Sequence, residues 1–559
     1  MPYKSRWQIE VPKVTLPTFL FKSPTASLPD TPVFLAADAP DTHYLTYRSY
    51  RLWCQRFAAG LRAAGLKDGD RVLLFSGNTL FSPVVIHGTI MAGAIFTGAN
   101  PTFVARELAY QLKDSDALFL IAAESSLDTA REAAHLVGMS EDRIFAFDDG
   151  FATFDGKSKN SGNIRHWTAL IADEETGSKF AWDDLKTEED LDRTVALNYS
   201  SGTTGVPKGV MITHKNYVSN CMQTIYVSKL SPDYEQNTKR ARQLCFLPMY
   251  HAMGQTIFGV TCPVQSIPVY IMPKFDFIKM LENIQRFKIT VLTLVPPIVV
   301  ALAKHPAVKK YDLSSVDKVG CGAAPLGREM AAELEKLWPP GKINVKQGWG
   351  MTEITCSAMG WHPLEKSYSF SVGELNPNCE AKLVDEDGIH EVPEGERGEV
   401  WVKAPNVMKG YWGKPEATKE TITEDGWLKT GDIAYVEKGK FFIVDRKKEL
   451  IKVKGNQVAP AELEALLLDH PAISDVAVIG VNIDIDDERP RAYVVLAQGK
   501  KATEKEIQEW LATKVTRHKH LTGGVRFVDA IPKNPSGKIL RKILREQAKA
   551  EISSQKSKL

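Results

Sequence analysis

The sequence predicts an α/β protein: a large N-terminal domain of layered α/β subdomains with a β-rich subdomain, followed by a small α+β C-terminal domain. Three changes of pattern carry this reading. From about residue 45 to residue 350, short β-type runs alternate with helical patterns, the rhythm of layered α/β structure. From about Gly373 to Val444 the chain turns to short strands punctuated by Gly, Pro and Asp, the mark of a β-rich subdomain. After Arg446 a compact end piece begins, so the boundary falls near Arg446-Lys447-Lys448 and divides the chain into 1–446 and 447–559. At about 150 residues per domain, 559 residues amount to three or four domain-sized units with room for a large core.

The elements follow in order. VLLF (72–75), LFLI (118–121), RIFAF (143–147) and ITVLTLV (289–295) read as strands. Glu107 to Leu112, Thr129 to Leu136, Phe277 to Phe287 and Arg328 to Trp338 carry apolar residues at helical spacing. AKLVDEDG, GEVWVKAP and FFIVD supply the β-rich part, about 373–444. The end piece reads as a helix (Ala461 to Leu468), two strands (Val476 to Val481, Ala492 to Leu496), a long amphipathic helix (Glu504 to Arg517) and a strand (Val525 to Val528). No internal repeat and no low-complexity linker interrupts the chain.

Composition narrows the function. Hydrophobic residues make up 43% and charged residues 25%, with 39 Gly and 31 Pro, which excludes collagenous, coiled-coil and wholly disordered chains. Lys plus Arg number 70 against 68 Asp plus Glu, so a net charge of +2 gives no long-range pull towards nucleic acid or an anionic membrane. The longest apolar stretches, Phe81 to Gly98 and Ile289 to Ala303, are broken by His87 and by Pro296-Pro297, and no transmembrane helix is expected. MPYKSRWQIEVPKV lacks the apolar core of a secretory signal. Seven scattered cysteines, with no Cys-x-x-Cys pair, fit a reducing compartment. The tripeptide Ser557-Lys558-Leu559 matches a peroxisomal address and implies an import receptor as partner and the peroxisomal matrix as location.

Chemistry concentrates in Ser200-Ser201-Gly202-Thr203-Thr204-Gly205-Val206-Pro207-Lys208-Gly209, which follows the β-like Val195 to Tyr199. Three glycines permit close backbone approach, four hydroxyls donate hydrogen bonds and one lysine adds charge, a combination suited to phosphate. It is not a Walker A loop, because Pro207 precedes the lysine and Gly209 follows it. Further along stand GAAPLG (322–327), QGWGMTE (347–353), GWLKTGD (426–432), VDRKKELIKVKGNQVAPAELE (444–464) and PKNPSGKILR (532–541). In the last, Pro and Gly make a loop that can present Lys538. HEVPE at His390 is no zincin motif, since Glu394 stands where a second histidine would be needed.

With these motifs in this order, the chain resembles the adenylate-forming superfamily of acyl-CoA synthetases, adenylating domains and beetle luciferases. Within it the chain is most similar to 4-coumarate:CoA ligases and fungal phenylacetyl-CoA ligases. The resemblance runs from about Leu28 to Arg545 and implies an AMP-forming acid:CoA ligase that uses ATP, Mg²⁺ and coenzyme A. It implies a nucleotide site of Ser200, Ser201, Gly202, Thr203, Thr204, Lys208, Gly322, Ala323, Ala324, Gln347, Gly348, Trp349, Gly350, Thr352, Glu353, Asp432, Arg446 and Lys538. In that family the aspartate holds the ribose hydroxyls, the threonine contacts the α-phosphate, and Glu353 with Thr204 lies at the metal. The lysine at 538 bridges carboxylate and α-phosphate, where an ammonium offsets charge on both reactants.

The same resemblance makes the C-terminal domain mobile about Lys448, with Lys452 and Gln457 facing the acyl-adenylate and Lys274, Lys454 and Gly455 along the CoA channel. His251 in LPMYHAMGQ corresponds to the gating histidine of an acyl pocket that includes Met253, Ile257, Gly322, Ala323, Gly348 and Ile354. Trp349 stands where many relatives have tyrosine at the adenine site, and either ring can stack on the base. Two further departures bear on the acid. Met253 stands where plant 4-coumarate ligases have tyrosine, and Ile354-Thr355-Cys356 replaces their Ala-Gly-Pro. A more apolar acid is expected: an unsubstituted aryl acid, a phenylpropanoid or a medium-chain fatty acid. A luciferase-like adenylating oxygenase and a non-catalytic acyl-adenylate-binding module stand as alternatives. Outside the site, Arg541, Lys542 and Arg545 read as part of a solvated basic helix and tail.

Overall fold

The computed structural model describes residues 2–184, 187–200, 206–453, 456–484, 487–534 and 537–556. Ser201, Gly202, Thr203, Thr204, Lys454, Gly455 and the terminal Ser557-Lys558-Leu559 lie outside the described residues.

Two sheets build the large domain. One has eight strands, ordered Gly410–Tyr411, Lys208–Thr213, Thr194–Ser200, Ile95–Ala99, Arg71–Phe75, Ala117–Ala123, Ile144–Phe147 and Arg165–His166. The other has seven: Lys346–Gln347, Lys318–Cys321, Val291–Leu294, Gln243–Cys245, Val269–Ile271, Pro32–Ala36 and Tyr44–Thr46. Their inner strands pair parallel, which explains why they read as unbroken apolar runs: a parallel sheet is covered on both faces. Within Arg71–Phe75, Val72 and Leu74 face the main core while Leu73 and Phe75 face a second core with Leu108, Leu112 and Ala130. The helix Ser82–Met91 is buried along its whole length. That burial accounts for the apolar stretch noted in the sequence, and among the described residues no helix is long and apolar enough to cross a membrane.

The β-rich part is a five-stranded antiparallel sheet ordered Tyr3–Lys4, Glu380–Val384, Gly398–Lys403, Leu428–Glu437 and Lys440–Arg446. Its N-terminal edge strand carries no pattern in the sequence. The C-terminal unit packs the helices Pro460–Leu468, Glu504–Ala512 and Arg541–Lys556 on the strands Ile473–Asp484, Asp487–Leu496 and Val525–Phe527. The helix expected to run to Arg517 ends at Ala512, where Thr513, Val515 and Thr516 bring the lower helix propensity of β-branched residues. All seven cysteines are free, and six are buried.

The expectation of a solvated Arg541 is corrected. Its guanidinium donates to both oxygens of Glu464 at 2.8 and 2.6 Å and to the Val478 carbonyl at 3.2 Å. Glu464 also accepts from the Val478 amide at 2.7 Å. Arg545 likewise pairs with Glu449. These pairs fix the start of the terminal helix three residues after Lys538. Removing one partner of a buried pair strands the other charge, typically at about 3–5 kcal/mol. Arg541→Met is therefore expected to destabilise the C-terminal unit by about 3 kcal/mol in denaturant titration; an unchanged midpoint would restore the solvated reading.

Candidate active site

The strands that flank the phosphate-loop motif are antiparallel and pair Ser200 with Lys208 and Tyr199 with Gly209. Both shoulders are tied to the helix Ala105–Ser115. Tyr199 donates to Asp114 at 2.8 Å, and Tyr110 donates to the Pro207 carbonyl at 2.8 Å. Lys414 pairs with the same aspartate. The Lys208 ammonium lies 4.8 Å from the centre of the Tyr411 ring, a cation–π distance.

Glu353 is buried in the 3₁₀ turn Thr352–Ile354. Its Oε1 accepts from Ser200 Oγ at 2.9 Å and from the Tyr411 hydroxyl at 3.0 Å. Oε2 has no hydrogen-bond partner among the described residues and stays open for a further ligand. The turn is tight. A Cβ at Gly350 would stand 1.7 Å from the Cys356 carbonyl oxygen, so only glycine fits. Thr355 sits at φ 63°, ψ −54°, and the Cys356 amide donates to the Ile354 carbonyl at 2.6 Å. This is a γ-turn of the strained, positive-φ kind. Glycine, usual here in 4-coumarate ligases, adopts that backbone freely. Threonine is held there by its hydroxyl, which donates to the Asn406 carbonyl at 2.8 Å.

The antiparallel register of the β-rich sheet sets Asp432 directly opposite Arg446. The Arg446 Nε lies 3.7 Å from Asp432 Oδ1, and the Trp349 indole N–H donates to Oδ2 at 2.8 Å. Burial pushes the Asp432 carboxyl up from its ordinary range, while the charge of Arg446 and the bond from Trp349 pull it back. Gln347 is occupied otherwise. Both ends of its amide bind the Leu326 backbone, at 2.8 and 2.9 Å, and so shape the turn 322–327. Ala323 in that turn has φ 71°.

Lys538 arrives from the C-terminal unit. Its amide donates to Asn534 Oδ1 at 2.8 Å, and Gly537, at φ 81°, rests against Val295 and Pro297 of the large domain, where a Cβ would stand 3.1 Å from the proline ring. Burial lowers the Lys538 ammonium to about 8, helped by the Arg446 charge; Asp432, Glu353 and Glu449 act in the opposite sense. His251 is lowered to about 4, first by burial and then by the Lys538 charge. It is neutral at pH 7. Its Nδ1 accepts from the Met253 amide at 3.4 Å, which leaves the proton on Nε2. Met253 Sδ stands 3.7 Å from where a Cβ on Gly322 would be, with the Gly348 carbonyl 4.0 Å from that point. A side chain at Gly322 would meet both at ordinary contact distance. Ile257 lies in the π-helical stretch Gln255–Thr261, and Ile354 is fully buried.

The structure thus brings together Ser200, Lys208, Trp349, Glu353, Asp432, Arg446, His251 and Lys538. It does not bring Lys452 or Gln457 to them. Lys452 Nζ lies 3.7 Å from Glu386 Oε1, and Gln457 donates to Glu386 Oε2 at 3.5 Å; both stand on the strand pair Ile451–Val453 and Asn456–Val458, whose Ile451, Val453 and Val458 turn into the C-terminal core. Lys448 and Lys274 are exposed. Sequence reading missed Tyr411, Asp114, Tyr110 and Tyr199; the only local signal was the aromatic pair Tyr411-Trp412 behind Gly410.

Residues 21–412 match the AMP-binding enzyme family, and residues 462–538 match the C-terminal domain of AMP-binding enzymes. The chain belongs to that family. Phenylacetyl-CoA ligase epaB of Aspergillus niger is 36% identical over 98% of this chain and 99% of its own length. 4-Coumarate–CoA ligase 2 of Petroselinum crispum is 39% identical over 89% of this chain and 88% of its own. Among solved structures, ATP-bound MatB from Rhodopseudomonas palustris superposes with a TM-score of 0.80 at 26% identity, covering 95% of this chain and 98% of that one.

The double role of Tyr411 is open to test. Tyr411→Phe keeps the ring under Lys208 and removes one hydrogen bond to a carboxylate, an interaction of about 1.5–3 kcal/mol. Adenylation kcat/KM, read as pyrophosphate exchange, is expected to fall at least tenfold while the melting temperature holds within a few degrees.

Proposed function

We infer that the protein is an ATP-dependent, AMP-forming acid:CoA ligase that works through an acyl-adenylate. The observation that carries this is the burial of Lys538 within the field of Asp432, Glu353 and Arg446, beside a neutral His251. In the first half-reaction a carboxylate oxygen attacks the α-phosphorus and the bond to pyrophosphate breaks. Two anions must meet, so positioning and charge neutralisation dominate the barrier. Lys538 serves both anions from between them. Asp432 takes the ribose hydroxyls, Arg446 the nucleotide from the facing strand, and Thr352 the α-phosphate. The phosphate loop with Lys208 holds the remaining phosphates. His251, with its proton on Nε2, donates to an oxygen of the acyl group.

Lys208, Arg446 and Lys538 face Glu353 and Asp432, a surplus of one positive charge that leaves a triphosphate largely uncompensated. The open oxygen of Glu353, with Thr204, would help hold Mg²⁺, which would supply the missing charge neutralisation. In the second half-reaction the CoA sulfur attacks the acyl carbon and AMP leaves. We assign that step to a second orientation of the C-terminal domain, turned about Lys448, in which Lys452 and Gln457 leave Glu386 for the acyl-adenylate and Lys274, Lys454 and Gly455 line the CoA path.

The acid we propose is apolar, with an aryl acid lacking a phenol favoured. Met253 and Ile354 offer no hydrogen-bond donor to a phenol. Thioester formation over a panel of cinnamic, phenylacetic, benzoic and C6 to C16 fatty acids, read by mass spectrometry, is expected to peak on an aryl acid without ring hydroxyls. A preference for 4-coumarate would overturn the assignment. The reading extends to Ser557-Lys558-Leu559 as a peroxisomal address: Leu559→Asp is expected to leave a fluorescent fusion outside peroxisomes that the native ending enters.

Lys538 must carry its charge, and its ammonium titrates at about 8 in the free protein. As pH rises through that value the charge is lost, so kcat/KM for ATP, which reports the free enzyme, is expected to fall above about pH 8. Lys538→Arg, charged at all accessible pH, should abolish that fall, and Lys538→Ala should abolish adenylation yet convert supplied acyl-adenylate to thioester. A pH limb that survives in Lys538→Arg would assign it to another group.

A further inference from the structure

We propose that Trp349 is a positioning residue for ribose recognition: through its indole N–H it fixes the plane of the Asp432 carboxylate so that both oxygens meet the two ribose hydroxyls together. The inference rests on the ribose role assigned to Asp432 above. It adds to the stacking role expected of an aromatic residue here. The bond is 2.8 Å long and runs from the buried Trp349 to the half-buried Asp432, 83 positions apart in sequence.

A carboxylate that must accept from two neighbouring hydroxyls has to present its oxygens in one orientation, and the terminal torsion of an aspartate is a broad, two-fold rotor that does not select one. The Arg446 Nε stands 3.7 Å from Oδ1, beyond hydrogen-bond range, so it supplies charge without fixing the rotor. Trp349 does fix it. The main chain that carries the indole is anchored, since the Trp349 amide donates to the Met359 carbonyl at 3.3 Å and Met359 and Ala358 donate back to the Trp349 carbonyl at 3.2 and 3.0 Å. Each carboxylate oxygen accepts about two bonds, so Oδ2 keeps capacity for a hydroxyl after the indole has taken its share. A tyrosine at this position has no N–H at the point where the indole donates.

The prediction concerns discrimination, which a merely structural role leaves untouched. Affinities for ATP, 2′-deoxyATP and 3′-deoxyATP are measured by titration calorimetry, with no acid present, for the native protein, Trp349→Phe, Trp349→Tyr and Asp432→Asn. Loss of the orienting bond should cut the preference for ATP over each deoxynucleotide by about tenfold in Trp349→Phe, since one bond to a charged acceptor is lost. A loss of packing would weaken all three nucleotides equally and leave the ratio as it was. Should Trp349→Phe fail to fold, Trp349→Tyr carries the same test. A native ratio in the tryptophan variants, with the ratio abolished in Asp432→Asn, overturns the proposal while keeping the ribose role of Asp432. A native ratio in Asp432→Asn overturns the ribose assignment, and this inference with it.

Discussion

The site depends on one contact between domains: the docking of Gly537, one residue before Lys538, on Val295 and Pro297. The backbone at Gly537 is in the left-handed region and a Cβ there would stand 3.1 Å from the proline ring, so a side chain would both strain the backbone and lift it. Lys538 gains its position from that approach. Its burial lowers its affinity for a proton, and the neighbouring carboxylates restore part of it. The bond network from Arg541 to Glu464 and Val478 holds the following helix, so the lysine is fixed from behind as well as from the front.

The same docking fixes what else can reach the site. With Lys538 inserted, the hairpin Ile451–Val453 and Asn456–Val458 is turned to Glu386, which takes Lys452 and Gln457 on its two oxygens. These contacts join exposed groups, and such pairs are weak. They can be given up without a large penalty, as a domain that changes orientation between two half-reactions requires. The strong Arg541–Glu464 pair lies inside the C-terminal unit, while Lys452 and Gln457 meet Glu386 across its boundary through exposed groups.

Much of the architecture was legible because parallel strands covered on both faces write themselves as apolar runs. VLLF at 72–75 is one such run, with alternate residues entering separate cores. The motif residues were legible through resemblance and composition. What was not legible depends on register and long-range contact. Nothing local in Tyr411 announces that it will stand under Lys208 and bind Glu353; that follows from the pairing of Gly410–Tyr411 with Val210 and Met211. Arg541 looked like one more charge in a basic tail because its partner, Glu464, is 77 residues away. The overlong helix at Glu504 shows the other failure, where amphipathic spacing continued past the point at which β-branched residues weaken the helix.

The departures at 349 and 355 have one physical theme. At 355 a side chain occupies a backbone conformation that glycine would adopt without strain, and it stays because its hydroxyl reaches Asn406. At 349 an indole brings a donor to Asp432 where a phenol would bring none at the same point. Each substitution exchanges a looser arrangement for a hydrogen bond that ties the turn 347–356 to another element, the 398–412 segment through Thr355 and the strand Leu428–Glu437 through Trp349. The turn also carries Glu353, whose carbonyl accepts from the Met408 amide at 2.9 Å. One short segment is therefore anchored at several points to the β-rich part of the chain. Rigidity there serves adenylation directly, since the Glu353 carboxylate and the Trp349 ring both hang from it. An active site that must hold two anions in contact gains more from a fixed frame than from additional charge.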